Sequence, residues 1–316
     1  MATKSQFPAE TGDEGEFARQ EDAFRAWVSD DGSTPFAAES NRYHLYVSLA
    51  CPWAHRSLIV RNLKGLNSVI GVTVVDPVRD EHGWAFREGS GHGADPINGF
   101  QFLSEAYALS RPGYRGRVTV PVLWDKHSRR IVNNSEDDLC RMFDGVLGKL
   151  GHSESSLFPP AIAAEHAQLA SAIYENINNG VYRAGFATRQ AAYERAGRSL
   201  FAALDEHEQR LARQRFLFGS RPVEADWRMF CTLVRFDAVY HGHFKCNLRR
   251  IVDYANLQGY LCDLYQQPGI AETVNFDHIT RHYYMTHDEI NPTRIVPLGP
   301  ILDLSQPHRR EKLGAN

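Results

Sequence analysis

The stretch His44–Leu66, HLYVSLACPWAHRSLIVRNLKGL, places Cys51 where a strand pattern gives way to a helix pattern. At a helix N-terminus the unpaired amide N–H groups and the helix dipole favour negative charge. They lower a thiol pKa from about 8.5 into roughly the 3.5–7.5 range. A thiolate at neutral pH is the expectation, and a thiolate attacks sulfur. The blander alternative is a cysteine acting as a small buried hydrophobe, and the strand-to-helix setting favours the nucleophile. Cys-Pro-Trp-Ala has no second cysteine three residues on, so a dithiol mechanism is excluded and a partner thiol must come from solution.

The elements that must position this cysteine read clearly. Tyr43–Leu49 alternates as a half-buried strand, and Trp53, Leu58, Ile59, Val60, Leu63 and Leu66 recur at helical spacing. Pro52 suits the first helical turn and Lys64-Gly65 its end. The β-branched run Val69–Val75 predicts a buried strand parallel to the first, completing a βαβ unit. Residues 80–117 form a long aperiodic stretch read as a functional loop, with one short helix near Phe102–Leu109. Val118–Trp124 and Arg130–Val132 are the next strands, joined by a hairpin turn over Asp125–Arg129. Asn133-Asn134-Ser135 offers caps for a helix over Asp138–Leu147. The order β-α-β, then β-β-α, is thioredoxin-like. In that layout Val120-Pro121 is the place for a cis-proline facing the reactive cysteine, the alternative being a trans proline on an edge strand.

Residues 1–42 are polar and acidic, an extension laid over a surface with Trp27 and Phe36 as its anchors. Glycine, serine and paired proline between Gly145 and Pro160 mark a boundary, and everything beyond reads as helical. Arg198–Gln214 and Ala225–Val239 carry apolar stripes that are core rather than site. Phe216–Pro222 stops one helix and restarts another, with Asp226 in the first turn of the second. The expected organisation is therefore an extension over 1–42, a thioredoxin-like thiol-binding domain over 43–148 with an inserted loop over 77–117, an all-α domain over 149–290, and a tail over 291–316.

The 316 residues suffice for two modest domains, and 35 basic against 38 acidic residues give a net charge of −3. No basic block follows a phosphate backbone and no apolar run spans a bilayer, so neither nucleic acid nor a membrane is expected as a partner. The polar, acidic start reads as no signal peptide. Five cysteines, odd in number and outside paired motifs, fit reduced thiols and a cytoplasmic location.

The words SLACPWAHR, RVTVPVLWD, IVNN, VYRAGFAT, LVRFDAVYHGHFKCN and RHYYMTHDEINPTRIVPLGP, with the Trp84 loop, run in order from about residue 43 to the C-terminus. They closely resemble the glutathionyl-hydroquinone reductases, the xi class of the glutathione transferases. The resemblance implies a glutathione transferase fold, an α/β thioredoxin-like domain followed by an all-α domain, and a homodimer. It implies reduction of a glutathione S-conjugate of a hydroquinone by a second glutathione, so the small-molecule partners are aromatic thiol conjugates and thiol. Cys51 would form the mixed disulfide. Tyr182 matches the family's proton donor, and Tyr240 and Tyr283 match tyrosines that favour the thiolate by hydrogen bonding. Trp84 and the Arg117, Val118, Thr119 and Val120 segment match contacts to glutathione as co-substrate.

Two positions depart from the family's words. The family has Glu-Ser after the paired asparagines where this chain has Ser135-Glu136, a reversal that moves each residue roughly 100° around the helix axis. It predicts weak use of glutathione and leaves another low-molecular-weight thiol open. Val223 stands where the family has a hydroxyl residue three before Asp226, removing a capping oxygen typically contributing about 1 kcal/mol. His241, His243 and Cys246 offer nitrogen and sulfur ligands but no second ligand pair, so no metal is expected. Two competing functions remain: a glutaredoxin-like or dehydroascorbate-type thiol transferase using the same cysteine, and a non-enzymatic binding module on the same fold. Cys51 together with three tyrosines favours the reductase.

Overall fold

The computed structural model describes residues 10–153 and 155–314. A four-stranded sheet has the order β2-β1-β3-β4, built from β1 (Tyr43–Val47), β2 (Gly71–Val74), β3 (Val122–Asp125) and β4 (Arg130–Asn133). β2 runs parallel to β1, with His44 opposite Gly71, while β3 and β4 are antiparallel to their neighbours. Helix α1 (Pro52–Leu63) makes the crossover from β1 to β2; α2 (Leu103–Ser110) lies in the long loop; α3 (Glu136–Asp144) follows β4 and packs on α1. This is the expected thioredoxin-like order.

Several details differ from the periodicity. β1 was expected to be half-buried, yet all five of its residues are buried, because it is an interior strand. Its polar residue is absorbed: a His44 ring nitrogen lies 2.7 Å from Thr73 Oγ1, and burial pushes the imidazole down to about 4. The β-branched run Val69–Val75 was expected to be a buried strand, but β2 is a sheet edge and only Thr73 within it is fully buried. The third strand begins at Val122 rather than Val118. Pro121, joined to Val120 by a cis peptide bond, has no N–H to give a ladder. Helix α3 starts two residues before Asp138 and ends at Asp144, where Gly145 follows. At the end of α1, Gly65 takes a φ of +68°, which a side chain would disfavour.

In the extension, Phe24, Val28 and Phe36 are buried, whereas Trp27 is 39% exposed. Phe36 is thus an anchor and Trp27 is not. The backbone explains the difference: Ala26 N–H bonds Val132 O, which leaves the neighbouring Trp27 side chain facing outward.

By internal contacts the chain divides into two compact units. One comprises Glu21–Ser155 with Thr273–Glu289; the other comprises the described part of Gln6–Gln20, Ser156–Glu272 and residues 290–314. The sequence boundaries at 42, 148 and 290 follow composition. The units follow packing instead, so α9 (Phe276–Thr286), expected with the helical half, belongs to the first unit. The second unit contains α4 (Ala163–Ile173), α5 (Asn179–Gly185), α6 (Gln190–Leu211), α7 (Glu224–Arg235) and α8 (Ala255–Tyr265). A π-helical turn, Tyr174–Asn178, leads into α5, and another, Phe236–Tyr240, extends α7.

Every residue of α7 is buried, and its start depends on one carboxylate. Asp226 Oδ2 accepts from Val223 N–H at 2.8 Å; Oδ1 accepts from Leu217 N–H at 2.9 Å and from Tyr260 Oη–H at 2.8 Å. With valine at 223, the carboxylate does the capping that a hydroxyl pair would otherwise share. Asp226→Ala strands three buried donors and should lower stability by about 3 kcal/mol or more in chemical denaturation. A loss below about 1 kcal/mol would contradict this account of the turn.

Candidate functional site

Cys51 is the N-cap residue of α1, half-buried, with extended backbone (φ −76°, ψ 121°) and Pro52 at the first helical position. Its N–H bonds Ser48 O at 3.1 Å, and its carbonyl accepts His55 N–H at 2.9 Å. The turn therefore fixes the backbone on both sides of the thiol. Cys51 Sγ lies 3.6 Å from Val120 O, the carbonyl preceding the cis-proline. A protonated thiol donates in that contact; a thiolate at the same place needs other donors. The remaining four cysteines are buried, and none of the five forms a disulfide among the described residues. Burial pushes the Cys246 and Cys262 thiols up, away from the thiolate.

The segment before Pro121 is held by a residue that sequence reasoning passed over. Tyr107 on α2 donates its hydroxyl proton to Thr119 O at 2.8 Å and accepts from Thr119 N–H at 3.1 Å, and Asn134 Nδ2 donates to Thr119 Oγ1 at 3.0 Å. Both backbone groups of Thr119 are thus used inside the protein, while Val120 presents its carbonyl to Cys51. Tyr114 Oη–H donates to Arg117 O at 2.7 Å, fixing the start of the same segment. Of the four residues expected to face a thiol's backbone, Val120 is the one the structure brings to the cysteine.

Ser135 caps α3 in position but makes no side-chain capping bond, and its N–H bonds Asn133 Oδ1 at 2.7 Å. Glu136 opens the helix and pairs with Arg56 of α1 at 3.2 Å; Arg56, itself buried, also pairs with Asp137. Burial pushes the Glu136 carboxyl up to about 7, the nearby Asp137 charge adds to this, and Arg56 opposes it. The reversed pair therefore has a consequence: the acid is engaged with a cation from the cysteine's own helix.

Trp84 is buried on the long loop. Its ring stacks on His282 at 5.1 Å with 18° between planes, and the Arg79 guanidinium lies 5.2 Å from its centre. His282 Nδ1 lies 2.6 Å from Pro77 O and His278 Nε2 lies 2.6 Å from Ser90 O. A carbonyl can only accept, so each histidine donates, and α9 clips the loop at two points. Tyr283, 1% exposed, meets the His282 ring edge-on at 5.3 Å. Trp84 and Tyr283, distant in sequence, are thereby joined through His282, which no local pattern marked.

Within the second unit Tyr182 and Tyr240 share an aromatic cluster. Their ring centres are 6.0 Å apart; Phe244 lies 5.3 Å from Tyr182 and stacks on Tyr240 at 5.4 Å; Phe186 lies 5.1 Å from Phe244. Gly185 permits this packing, since a Cβ there would stand 2.3 Å from the Phe244 ring. Phe17 and Arg19 of the extension join the cluster at Tyr182. Tyr240 ends the π-helical turn and is fully buried, whereas Tyr182 is partly accessible. His243 and Cys246 lie just beyond. Burial pushes His243 down to about 4, and among the described residues no group of three or more histidine, cysteine, aspartate or glutamate side chains is arranged to hold a metal ion. No helix among the described residues is long and apolar enough to cross a membrane.

A sheet of this order with a lone cysteine at the first helix N-cap, a cis-proline beside it and a helical second unit defines the glutathione transferase class. Residues 50–145 match the family model for the glutathione S-transferase N-terminal domain, and residues 190–261 match that for the C-terminal domain. The chain is 50% identical over 304 residues to the glutathionyl-hydroquinone reductase YqjG of Escherichia coli, covering 94% of this chain and 93% of that protein. It is 46% identical over 286 residues to the glutathionyl-hydroquinone reductase PcpF of Sphingobium chlorophenolicum, covering 90% of each. The glutathione-bound structure of YqjG superposes with a TM-score of 0.88, over 91% of this chain and 96% of that one. The xi glutathione transferase of Phanerochaete chrysosporium superposes with a TM-score of 0.91 at 45% identity, over 94% and 97%. This chain belongs to the glutathione transferase family, and within it to the xi-class, glutathionyl-hydroquinone reductase group.

The Glu136 environment generates a pH test. Its carboxyl is raised in the folded chain, so the stability linked to its proton is present in full below the ordinary range, about 4.5, and is lost as pH rises through about 7. Glu136→Gln removes that loss. The variant should gain on the wild type between pH 5 and 8, by about 1–3 kcal/mol, measured by denaturation at each pH. A wild type that gains on the variant as pH rises would reverse the sign and show Arg56 to dominate.

Proposed function

We propose that the protein is a thiol-dependent reductase of glutathionyl-hydroquinones, with glutathione taken as the thiol. The observation that carries this reading is the lone Cys51 at the N-cap of α1, beside the Val120 carbonyl, with no second thiol in its motif. Cys51 attacks the sulfur of the conjugate. A disulfide forms between Cys51 and glutathione, the sulfur–aromatic carbon bond breaks, and the aromatic carbon keeps the electron pair and takes a proton. A second glutathione thiolate then attacks the mixed disulfide, releasing glutathione disulfide and the Cys51 thiolate. Two electrons pass from two thiols to the aromatic group. Tyr182 supplies the proton, and Tyr240 and Tyr283 donate hydrogen bonds that favour the thiolate, which the Val120 carbonyl cannot do. Trp84, Arg117, Val118, Thr119 and Val120 hold the glutathionyl part, together with Ser135 and Glu136. The protein works as a cytoplasmic homodimer, without metal.

A second reading has one observation in its favour. The Glu136 carboxylate is engaged by Arg56, which weakens it as an acceptor for the ammonium of a γ-glutamyl group. A thiol without that group would use Cys51 and the tyrosines equally well.

Cys51→Ser should lower conjugate reduction by about three orders of magnitude or more with the fold intact, since a hydroxyl cannot form the mixed disulfide. Tyr182→Phe should slow turnover by about 10²- to 10⁴-fold and leave iodoacetamide labelling of Cys51 unchanged. Tyr240→Phe and Tyr283→Phe should instead move the pH dependence of labelling upward. Substantial turnover by the serine variant, or equal effects from all three tyrosine substitutions on labelling, would overturn the assignment.

A further inference from the structure

The described part of the N-terminal extension includes a small hairpin. Gly12 N–H bonds Glu16 O at 2.8 Å, Ala18 N–H bonds Glu10 O at 2.7 Å, and Thr11 and Phe17 pair as an antiparallel bridge. It belongs to the second unit and is fastened there at two places. Thr188 N–H donates to Gly15 O at 2.9 Å, and Arg195 pairs with Glu14 at 3.0 Å. At Gly15 φ is +81° and a Cβ would stand 2.7 Å from Thr188 Oγ1, so the close approach requires glycine. The fastened strand presents two side chains to Tyr182. The Phe17 ring lies 6.3 Å from that of Tyr182 and 5.6 Å from Phe186. The Arg19 guanidinium lies 5.1 Å from the Tyr182 ring centre, and its Nε donates to Asn179 Oδ1 at 3.3 Å. Asn179 opens α5, three residues before Tyr182 on the same face of the helix.

We propose that Arg19 is a positioning residue for proton delivery, so that the extension is part of the reaction machinery. The inference rests on Tyr182 being the proton donor. When Tyr182 gives its proton, the O–H bond breaks and a C–H bond forms on the aromatic leaving group. The sulfur–carbon bond breaks as the Cys51–glutathione disulfide forms, and the electron pair of the O–H bond stays on the phenol oxygen as negative charge. The ring delocalises that charge, and a guanidinium over its face stabilises it more than it stabilises the neutral phenol. Asn179 holds the guanidinium in register with Tyr182, and Phe17 packs against both the guanidinium and the Tyr182 ring. Water returns the proton between turnovers. The gain falls on the transition state for loss of the aromatic group, not on the attack by Cys51.

The test is a double-mutant cycle in the full-length protein with a glutathionyl-hydroquinone as substrate and glutathione as reductant. Arg19→Gln should lower kcat by about three- to tenfold, with KM for the conjugate little changed and the rate of Cys51 alkylation by iodoacetamide unchanged. Arg19→Lys, which keeps the cation, should recover at least about half of the loss. In a Tyr182→Phe background, Arg19→Gln should add nothing. An unchanged kcat for Arg19→Gln, or an equal loss in both backgrounds, would overturn the inference while leaving Tyr182 as donor. So would a loss equal in the lysine and glutamine variants and accompanied by a lower Tm, since that marks a structural role. A Tyr182→Phe variant with full kcat would instead remove the donor reading and this inference with it.

Discussion

A thiol at the first amide groups of a helix is favoured as an anion, and much of the first unit fixes Cys51 in that place. The central strand β1 delivers the chain to the N-cap, Pro52 occupies a position that has no N–H to lose, and the backbone groups of Cys51 are bonded on both sides. Opposite the sulfur stands Val120 O, held there because Tyr107 takes both backbone groups of Thr119. A carbonyl alone would favour the protonated thiol. In the proposed mechanism the helix end and the tyrosine donors outweigh it, and an isolated helix-capping cysteine would lack those donors.

The proposed site residues are divided between the two units. The first holds Cys51, the proposed nucleophile, with the Trp84 loop and Tyr283, the last two tied together through His282 of α9. The second holds Tyr182 and Tyr240 in an aromatic cluster whose backbone support is a pair of π-helical turns and the buried Asp226 cap. Wider turns of this kind recur at functional sites because they shift side chains off the regular helical face. Here one immediately precedes the helix of Tyr182, and the other ends at Tyr240.

Much of this was legible in the residues. The strand-to-helix change around Cys51, the parallel crossover and the hairpin at Asp125 follow local periodicity and turn chemistry, the place of the cis-proline follows from the thioredoxin-like order they make, and all are present. What escaped depends on contacts distant in sequence. The alternation puts His44 on the open face of a half-buried strand, and its side-chain contact with Thr73 of β2 is not recorded locally. Trp27 reads as an anchor until its neighbours' backbone bonds turn it outward. Arg56 looks like an ordinary helical cation, and its pairing with Glu136 links positions eighty residues apart. α9 sits with the first unit because its histidines donate to loop carbonyls, and no composition shift records that.

The central claim is that Cys51 is the one thiol that exchanges with a low-molecular-weight thiol from solution. Intact-protein mass spectrometry after exposure to glutathione disulfide, followed by peptide mapping, tests it directly. The account predicts one glutathione adduct, located on Cys51, removed by added glutathione and absent from Cys51→Ser. An adduct on any of the four buried cysteines, or a Cys51 that takes up no thiol from any low-molecular-weight disulfide, would contradict it.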